Sequence, residues 1–245
     1  MIHKVKGIVL RVVKYGETSV VATLYTDLFG LQSYMVKGVR KAGKRKNAAV
    51  NFFQAGAMLD LVVYRNPLKS LQFIREYQWG YLYRELFFHV TRNAIAQYMV
   101  ELILHSIKEE ETNAELFDFF ENAFIRLDTA SEEEIANYPL SFTLRLANFL
   151  GFKIHGKYSA QTPVLDLQEG SFVSEKPRHT YIVENDYAAI TSVLNELNTL
   201  SVPKNLQLNH FIRRNLLKYY QQFFSLHLQN IGEIKTLSIL QTILQ

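Results

Sequence analysis

Alternating apolar and polar positions run through the first 80 residues, with the period of two that half-buried β-strands produce. The pattern predicts strands over residues 5–14, 19–26, 31–39, 57–65 and 71–77. Turn residues separate them, with Tyr15-Gly16-Glu17 after the first strand and Asn66-Pro67 before the last. Five short strands in so short a stretch predict a small OB-fold barrel, because closure removes the bare edges of an open sheet.

The period changes after Gly80, and the remaining pattern is helical. Apolar residues recur every four positions from Leu82 to Tyr98 and predict a long helix that ends near His105. Capping-box patterns at 112–115 and 131–134 open two further helices, and a helix over 140–150 stops at Gly151. Helices are also predicted over 186–197, 208–228 and 232–244.

Residues 152–183 interrupt the helical pattern and contain two glycines and two prolines. This composition predicts a loop-rich insertion. The fold class that follows is α+β with two domains. An OB-fold β-barrel occupies residues 1–80, and a mainly α-helical domain with the insertion occupies residues 81–245.

The net charge of +4 is divided unevenly between these two parts. Residues 1–80 carry thirteen Lys and Arg against four acidic residues, a net of +9, whereas the remainder carries fourteen against nineteen, a net of −5. This asymmetry favours a polyanion such as nucleic acid as the partner of the first domain. The alternative is that surface lysines serve solubility alone.

The densest cluster of cations lies just after the third predicted strand. Six basic residues and two glycines fall within ten positions, and the cations are Lys37, Arg40, Lys41, Lys44, Arg45 and Lys46. Repulsion among them indicates an anionic partner, and we predict that they bind DNA phosphates. Arg11, Lys14 and Tyr34 on neighbouring strands complete the predicted DNA-binding set. Tyr25, Phe52, Phe53 and Tyr64 are further stacking candidates, although core positions are the more common fate of such residues in a small barrel.

Several patterns resemble enzyme motifs, but none is complete. Gly38–Lys44 fits the start of a phosphate-binding P-loop, yet Arg45 stands where that motif needs Ser or Thr. The acidic runs 109–111 and 132–134 are simpler as helix-capping residues than as a metal site. His155, Asp166 and His179 share the insertion without the spacing of a zinc site. We therefore expect no catalytic residues, no metal and no cofactor.

The absence of cysteine excludes disulfides and is typical of a reducing compartment. No apolar run is long enough for a membrane span or a signal peptide, so we expect a cytoplasmic, nucleoid-associated protein without membrane contact. On the helix predicted over 208–228, Arg213, Arg214 and Lys218 form either a secondary DNA-binding or partner face, or the exposed side of a helix with a buried stripe.

The order and spacing of short motifs along most of the chain resemble the RecO family of bacterial recombination mediators. These motifs are Gly7-Ile-Val-Leu10, Tyr15-Gly-Glu17, Leu24-Tyr-Thr26, Phe29-Gly30, Lys37-Gly-Val-Arg-Lys41, Phe52-Phe-Gln54, the segment from Phe142 to Phe152, and Arg214–Tyr220. The resemblance implies DNA repair and recombination. Such proteins bind single- and double-stranded DNA, anneal strands, and act with RecR to load RecA onto strands covered by the single-stranded-DNA-binding protein SSB. In these proteins the SSB C-terminal tail docks on the helical domain.

Two features depart from the family's pattern. Many relatives hold the segment matching residues 152–183 with a four-cysteine zinc site, and here we expect Val164, Leu165, Leu167 and Phe172 to hold it by packing. Leu140-Ser141 stand where some relatives present basic residues, and Arg145 on the same helix is the candidate to compensate. The alternative function is a protein-interaction module whose helical domain binds an acidic, hydrophobic tail, with DNA contact incidental.

Overall fold

The computed structural model describes residues 1–39, 47–107, 112–197, 199–202, 206 and 208–244. The predicted residues Arg40, Lys41, Lys44, Arg45 and Lys46 lie outside the described residues, as does the acidic run 109–111. The chain divides into two compact units, Met1–Thr129 and Ala130–Gln245. The predicted boundary at residue 80 marks the end of the barrel, whereas the first compact unit also includes the helices that follow it.

The first unit is built on the predicted five-stranded barrel, which the structure confirms. Its strands are β1 (Ile2–Tyr15), β2 (Ser19–Thr26), β3 (Gly30–Val36), β4 (Met58–Tyr64) and β5 (Leu71–Trp79). Their order around the closed barrel is β1-β2-β3-β5-β4, and only the β3–β5 pair is parallel. The short helix α1 (Asn47–Asn51) follows β3. Because a P-loop requires a parallel α/β sheet, this setting removes the structural basis for that motif.

The barrel interior is filled by alternate residues of each strand, most of them valine and leucine. Tyr34 is among them and is 1% exposed. The prediction that Tyr34 stacks on bases is therefore wrong, because its ring has no open face. Tyr25 and Phe53 are buried as well. Of the five aromatic candidates, Tyr64 keeps the most open surface at 45%, and Phe52 is half-buried against the ring of Trp79 at 4.6 Å.

The helices of the first unit are α2 (Val90–Ser106) and α3 (Ala114–Thr129). The helix predicted from Leu82 begins eight residues later than expected, because the backbone before it is hydrogen-bonded to a side chain of another helix. The carboxylate of Asp128 on α3 accepts hydrogen bonds from the backbone N–H groups of Arg84, Glu85 and Leu86 at 2.8–3.1 Å. Those amides therefore do not enter a helical ladder.

Two predicted helix starts can be compared with the structure. At α3 the cap is one residue later than predicted, since the side chain of Asn113 accepts from the N–H of Leu116 at 2.9 Å. At α4 (Glu132–Ile135) the capping box predicted for Ser131 and Glu134 is present. Capping is thus the role of the acidic run 132–134 that the structure shows.

The second unit consists of α4, α5 (Tyr138–Phe149), α6 (Asn185–Leu197), α7 (His210–His227) and α8 (Thr236–Ile243), with a small sheet between α5 and α6. The last helix starts four residues later than predicted. The sheet lies inside the predicted loop-rich insertion and has the order β7-β6-β8, with β6 (Val164–Asp166), β7 (Ser171–Val173) and β8 (Ile182–Val183). In the described part of the chain, no helix is long and apolar enough to cross a membrane.

Candidate nucleic-acid interface

Two adjacent rows of residues run across four strands on the outside of the barrel. The cross-strand register places Arg11, Thr23, Ser33 and Leu71 in the first row. It places Val13, Val21, Met35 and Phe73 in the second row. We call these eight residues, together with Lys37 two positions beyond Met35, the outer barrel face.

The second row of the outer barrel face is apolar where an exposed strand surface is ordinarily polar, although Met35 within this row is only 7% exposed. Val13 is 47% exposed and Phe73 is 37% exposed. The second row continues around the barrel through Tyr64 on β4, which pairs with Phe73 and is also half-exposed. An open aromatic and aliphatic strip of this kind has the surface that stacks on the faces of nucleic-acid bases.

Cations border this strip without carboxylate partners. The ammonium of Lys37 lies 5.3 Å from the ring centroid of Phe73, which places a positive charge beside the aromatic surface. Among the described residues, no ion pair involves Lys37, Arg11 or Lys14. Arg11 lies in the first row beside the hydroxyls of Thr23 and Ser33, which bond to each other at 3.2 Å.

Lys14 is exposed but lies differently from Arg11. It pairs with Val20, whose side chain points into the barrel, so Lys14 is at the open end of the barrel beside the outer face. The structure therefore brings Arg11, Lys14 and Lys37 to one side of the barrel. Sequence analysis did not identify Val13 and Phe73 as surface residues. Their place on the outer barrel face follows from the pairing of the strands, which the sequence pattern alone does not give.

Another part of the barrel's outside carries three acidic residues. A cleft of about 510 Å³ there is lined by Lys4, Lys6, Asp27, Asp60 and Glu76, with strand and turn residues between them. Lys6 donates to Glu121 at 2.9 Å, and this hydrogen bond raises the pKa of Lys6. Burial raises the pKa of Asp27, whose Oδ1 accepts from the N–H of Lys6 at 3.0 Å. The cations on this side are thus set among carboxylates, unlike those of the outer barrel face.

Two protein-family models match this chain. Residues 1–83 match the family described as Recombination protein O N terminal, and residues 88–236 match the family described as Recombination protein O C terminal. This chain belongs to the RecO family. The two matched segments meet just after β5, where the barrel ends.

Several curated relatives in the RecO family match almost the whole chain. Each is named DNA repair protein RecO. The relative from Christiangramia forsetii is 29% identical over 243 residues and that from Azobacteroides pseudotrichonymphae is 26% identical over 243 residues, with 99% of both chains covered in each case. The relative from Bacteroides fragilis is 28% identical over 242 residues, with 98% of both chains covered.

In the RecO family's C-terminal segment, the predicted secondary face separates into inward and outward residues. Arg214 and Lys218 are exposed one turn apart on α7, close to Phe211, which is 61% exposed. Beside Lys218 lies a cleft of about 480 Å³ whose lining also includes Tyr181 and Leu226. The surface therefore combines positive charge with apolar contact area.

Two other predicted residues of that face are turned inward. Arg213 donates to the backbone carbonyls of Leu208 and Leu244, and burial lowers the pKa of its guanidinium. Arg213, which is partly exposed, therefore ties the start of α7 to the end of α8, and its role in a binding face stays a prediction. Arg145 lies 5.5 Å from the ring of Phe149 on its own helix, and burial lowers its pKa too. The structure shows Arg145 as a half-buried cation.

The insertion is held by packing, as the sequence predicts. Val164, Leu165, Leu167 and Phe172 are each at most 8% exposed. The ring of His179 lies 3.2 Å from Asp166, whereas His155 joins the sheet through its backbone, donating to Gly170 at 2.8 Å. Within the described residues, no group of three His, Cys, Asp or Glu side chains is arranged to hold a metal ion.

Proposed function

We propose that this protein is a DNA-repair and recombination mediator that binds single- and double-stranded DNA through the outer barrel face and the basic segment that follows β3. The observation that carries the proposal is a partly exposed apolar strip bordered by cations that, within the described part of the chain, form no ion pair with a carboxylate. Membership in the RecO family and the printed name of the relatives, DNA repair protein RecO, support the same function.

Binding follows from two separate contributions. Lys37, Arg11 and Lys14 bind phosphates and release counterions, which gives an affinity that falls steeply with salt. Phe73, Val13 and Tyr64 contact base faces, which adds affinity without sequence preference. Annealing follows because neutralised phosphates allow two complementary strands to approach with less mutual repulsion.

In the proposed role the protein acts with RecR to load RecA onto strands covered by SSB, and it works in the cytoplasm at the nucleoid. The resemblance to the RecO family is the basis for these partners. No catalytic step is proposed, since mediation requires only that strands and proteins be bound and positioned.

The test is fluorescence anisotropy of a labelled single strand, titrated with the full chain at several salt concentrations. Replacing Arg11, Lys14 and Lys37 together by Ala should lower the slope of log affinity against log salt by about two, at ~0.7 for each phosphate contact on single strands. Lys6→Ala is the matched control, because Lys6 lies on the same barrel but pairs with Glu121. If the wild type does not bind at low salt, the proposed function is wrong.

A second function is favoured by the outward residues of α7. Arg214, Lys218 and Phe211 present cations beside apolar surface, which suits a peptide ending in acidic and apolar residues such as the SSB tail. Titration of such a peptide against the full chain, with Lys218→Ala as the variant, tests this face. Equal binding by both proteins would remove α7 from the partner surface.

A further inference from the structure

The loop between β4 and β5 displays the most exposed large apolar side chain in the described part of the protein. Leu68 is 94% exposed at the tip of the segment Asn66–Ser70. Single exposed leucines are common on protein surfaces and carry no meaning alone. Leu68 differs from such leucines because buried side chains hydrogen-bond to the loop that carries it.

Two buried glutamines hold the loop in one shape. Gln72 is 3% exposed, accepts from the N–H of Asn66 at 2.8 Å, and donates to the carbonyls of Asn66 and Lys69. Gln32 is 2% exposed and donates to the carbonyl of Ser70 at 2.8 Å. A third contact lies inside the loop, where the side chain of Asn66 accepts from the N–H of Leu68 at 3.0 Å.

These contacts fix the loop before any partner arrives. A buried amide costs free energy unless it is hydrogen-bonded, and both glutamines direct their amides to this one loop. A loop that only connects two strands does not need such support. Holding an exposed leucine rigidly lowers the entropy lost when it inserts into a partner, which is the benefit of preorganisation.

The surroundings of the loop favour a polyanion as that partner. No acidic residue occurs from position 61 to position 75, a stretch in which Arg65 and Lys69 border the loop, whereas Arg75 pairs with Glu76 at 3.1 Å. The loop also leads directly into the outer barrel face, because Leu71 belongs to its first row. A strand that lies across that face therefore reaches the loop.

We propose that Pro67 and Leu68 form a preformed wedge that inserts between bases of a nucleic-acid strand bound on the outer barrel face. The inference rests on the proposed function. Apolar wedges of this type part stacked bases, and phosphates on either side are bound by the flanking cations. A lipid surface is the less suitable partner, since one leucine is far shorter than a myristoyl chain, which by itself binds membranes only marginally.

The test combines affinity with a report on base stacking. A series of ~30-nucleotide strands is used, each with 2-aminopurine at a different single position. The fluorescence of this base rises when it is unstacked. Wild-type protein should raise the signal at a restricted position, and Leu68→Ser should abolish that rise. Leu68→Ser should also weaken binding by about fivefold or more, with an unchanged salt slope because no phosphate contact is lost. Leu68→Met should behave as the wild type.

Leu82→Ser is the matched control, because Leu82 is 68% exposed in the same unit and lies outside the loop and the outer barrel face. If the wild type binds but Leu68→Ser has the same affinity and the same fluorescence profile, the wedge is refuted while DNA binding stands. The wedge is also refuted if Leu68→Ser binds DNA like the wild type but no longer co-sediments with anionic vesicles. The loop would then be a lipid-binding element. If the wild type does not bind DNA at all, the proposed function fails and the wedge fails with it.

Discussion

The carboxylate of Asp128 joins the end of α3 to the segment that follows the barrel, and its removal has consequences that the structure allows us to work out. Asp128 is 2% exposed. Its Oδ1 accepts from the N–H groups of Glu85 at 2.9 Å and Leu86 at 2.8 Å, and both of its oxygens accept from the N–H of Arg84 at 3.1 Å. The change Asp128→Ala deletes all of these acceptors at once.

The expected loss of unfolding free energy in Asp128→Ala depends on which of the released amides water can reach. Leu86 is fully buried, so its N–H stays unsatisfied, at about 1–3 kcal/mol. Arg84 and Glu85 are exposed, so after the change their amides bond to water, and each loses only the net value of a solvent-accessible hydrogen bond, about 1 kcal/mol. The sum predicts a destabilisation of about 3–5 kcal/mol for Asp128→Ala. Asp128→Asn keeps one carbonyl acceptor and should cost about half as much.

The measurement is urea unfolding followed by tryptophan fluorescence. Trp79 is the only tryptophan of the chain and stacks on Phe52, so its emission reports on the unit that contains Asp128. Asp118→Asn is the control, since Asp118 is an exposed carboxylate on the same helix and should change stability by less than about 0.5 kcal/mol. A loss below about 1 kcal/mol for Asp128→Ala would refute the argument that this carboxylate holds the segment.

Two further predictions concern alkaline stability and the C-terminal helices. Burial raises the pKa of Tyr25 to about 12, because the folded state disfavours the charged phenolate. The contribution of the neutral phenol to the unfolding free energy is therefore complete below the unfolded-state pKa near 10, and it is lost as pH rises through the folded-state pKa. The unfolding free energy of the wild type should therefore fall between pH 10 and 12 by about 2–3 kcal/mol more than that of Tyr25→Phe. Urea unfolding of both proteins at several pH values measures this difference. Midpoints that fall equally with pH in the two proteins would contradict the prediction. Arg213→Ala should destabilise the second unit by about 1–3 kcal/mol, because two buried carbonyls lose their donor, whereas Arg214→Ala should be nearly neutral. Thermal melts of the two neighbouring variants make the comparison, and equal melting temperatures would count against the inward assignment of Arg213.

Sequence periodicity was sufficient for the barrel, because each strand alternates and the turns between them contain glycine, proline or asparagine. Periodicity did not show which residues of β3 face the barrel interior. Gln32 and Tyr34 both point inward, and a buried glutamine is what a hydrophobicity pattern cannot anticipate. The inward turn of Gln32 is explained only by the carbonyl of Ser70, 38 residues away, to which it donates. The prediction for Tyr34 failed for the same reason.

The helix predicted from Leu82 failed for a related cause. Leu82 and Leu86 have helical spacing, yet the amide of Leu86 is bonded to Asp128, 42 residues away, and Leu82 is exposed. Local pattern contains no information about a partner so distant in sequence. The predicted cations Arg11, Lys14 and Lys37 are exposed, as long flexible charged residues usually are, and their contact with DNA stays a prediction.

The distribution of carboxylates around the barrel adds an electrostatic argument for the outer barrel face. Of the four acidic residues in the first 80, Asp27, Asp60 and Glu76 line one cleft together with Lys4 and Lys6, and Glu17 is in the turn after β1. Within the described residues, the cations of the outer barrel face form no ion pair, whereas Lys6 pairs with Glu121. In the proposed function, these unpaired cations attract a polyanion over a longer distance than the apolar strip does, because charge interactions at low salt extend beyond direct contact. Charge therefore brings a strand to the outer barrel face before its bases contact Val13, Phe73 and Tyr64.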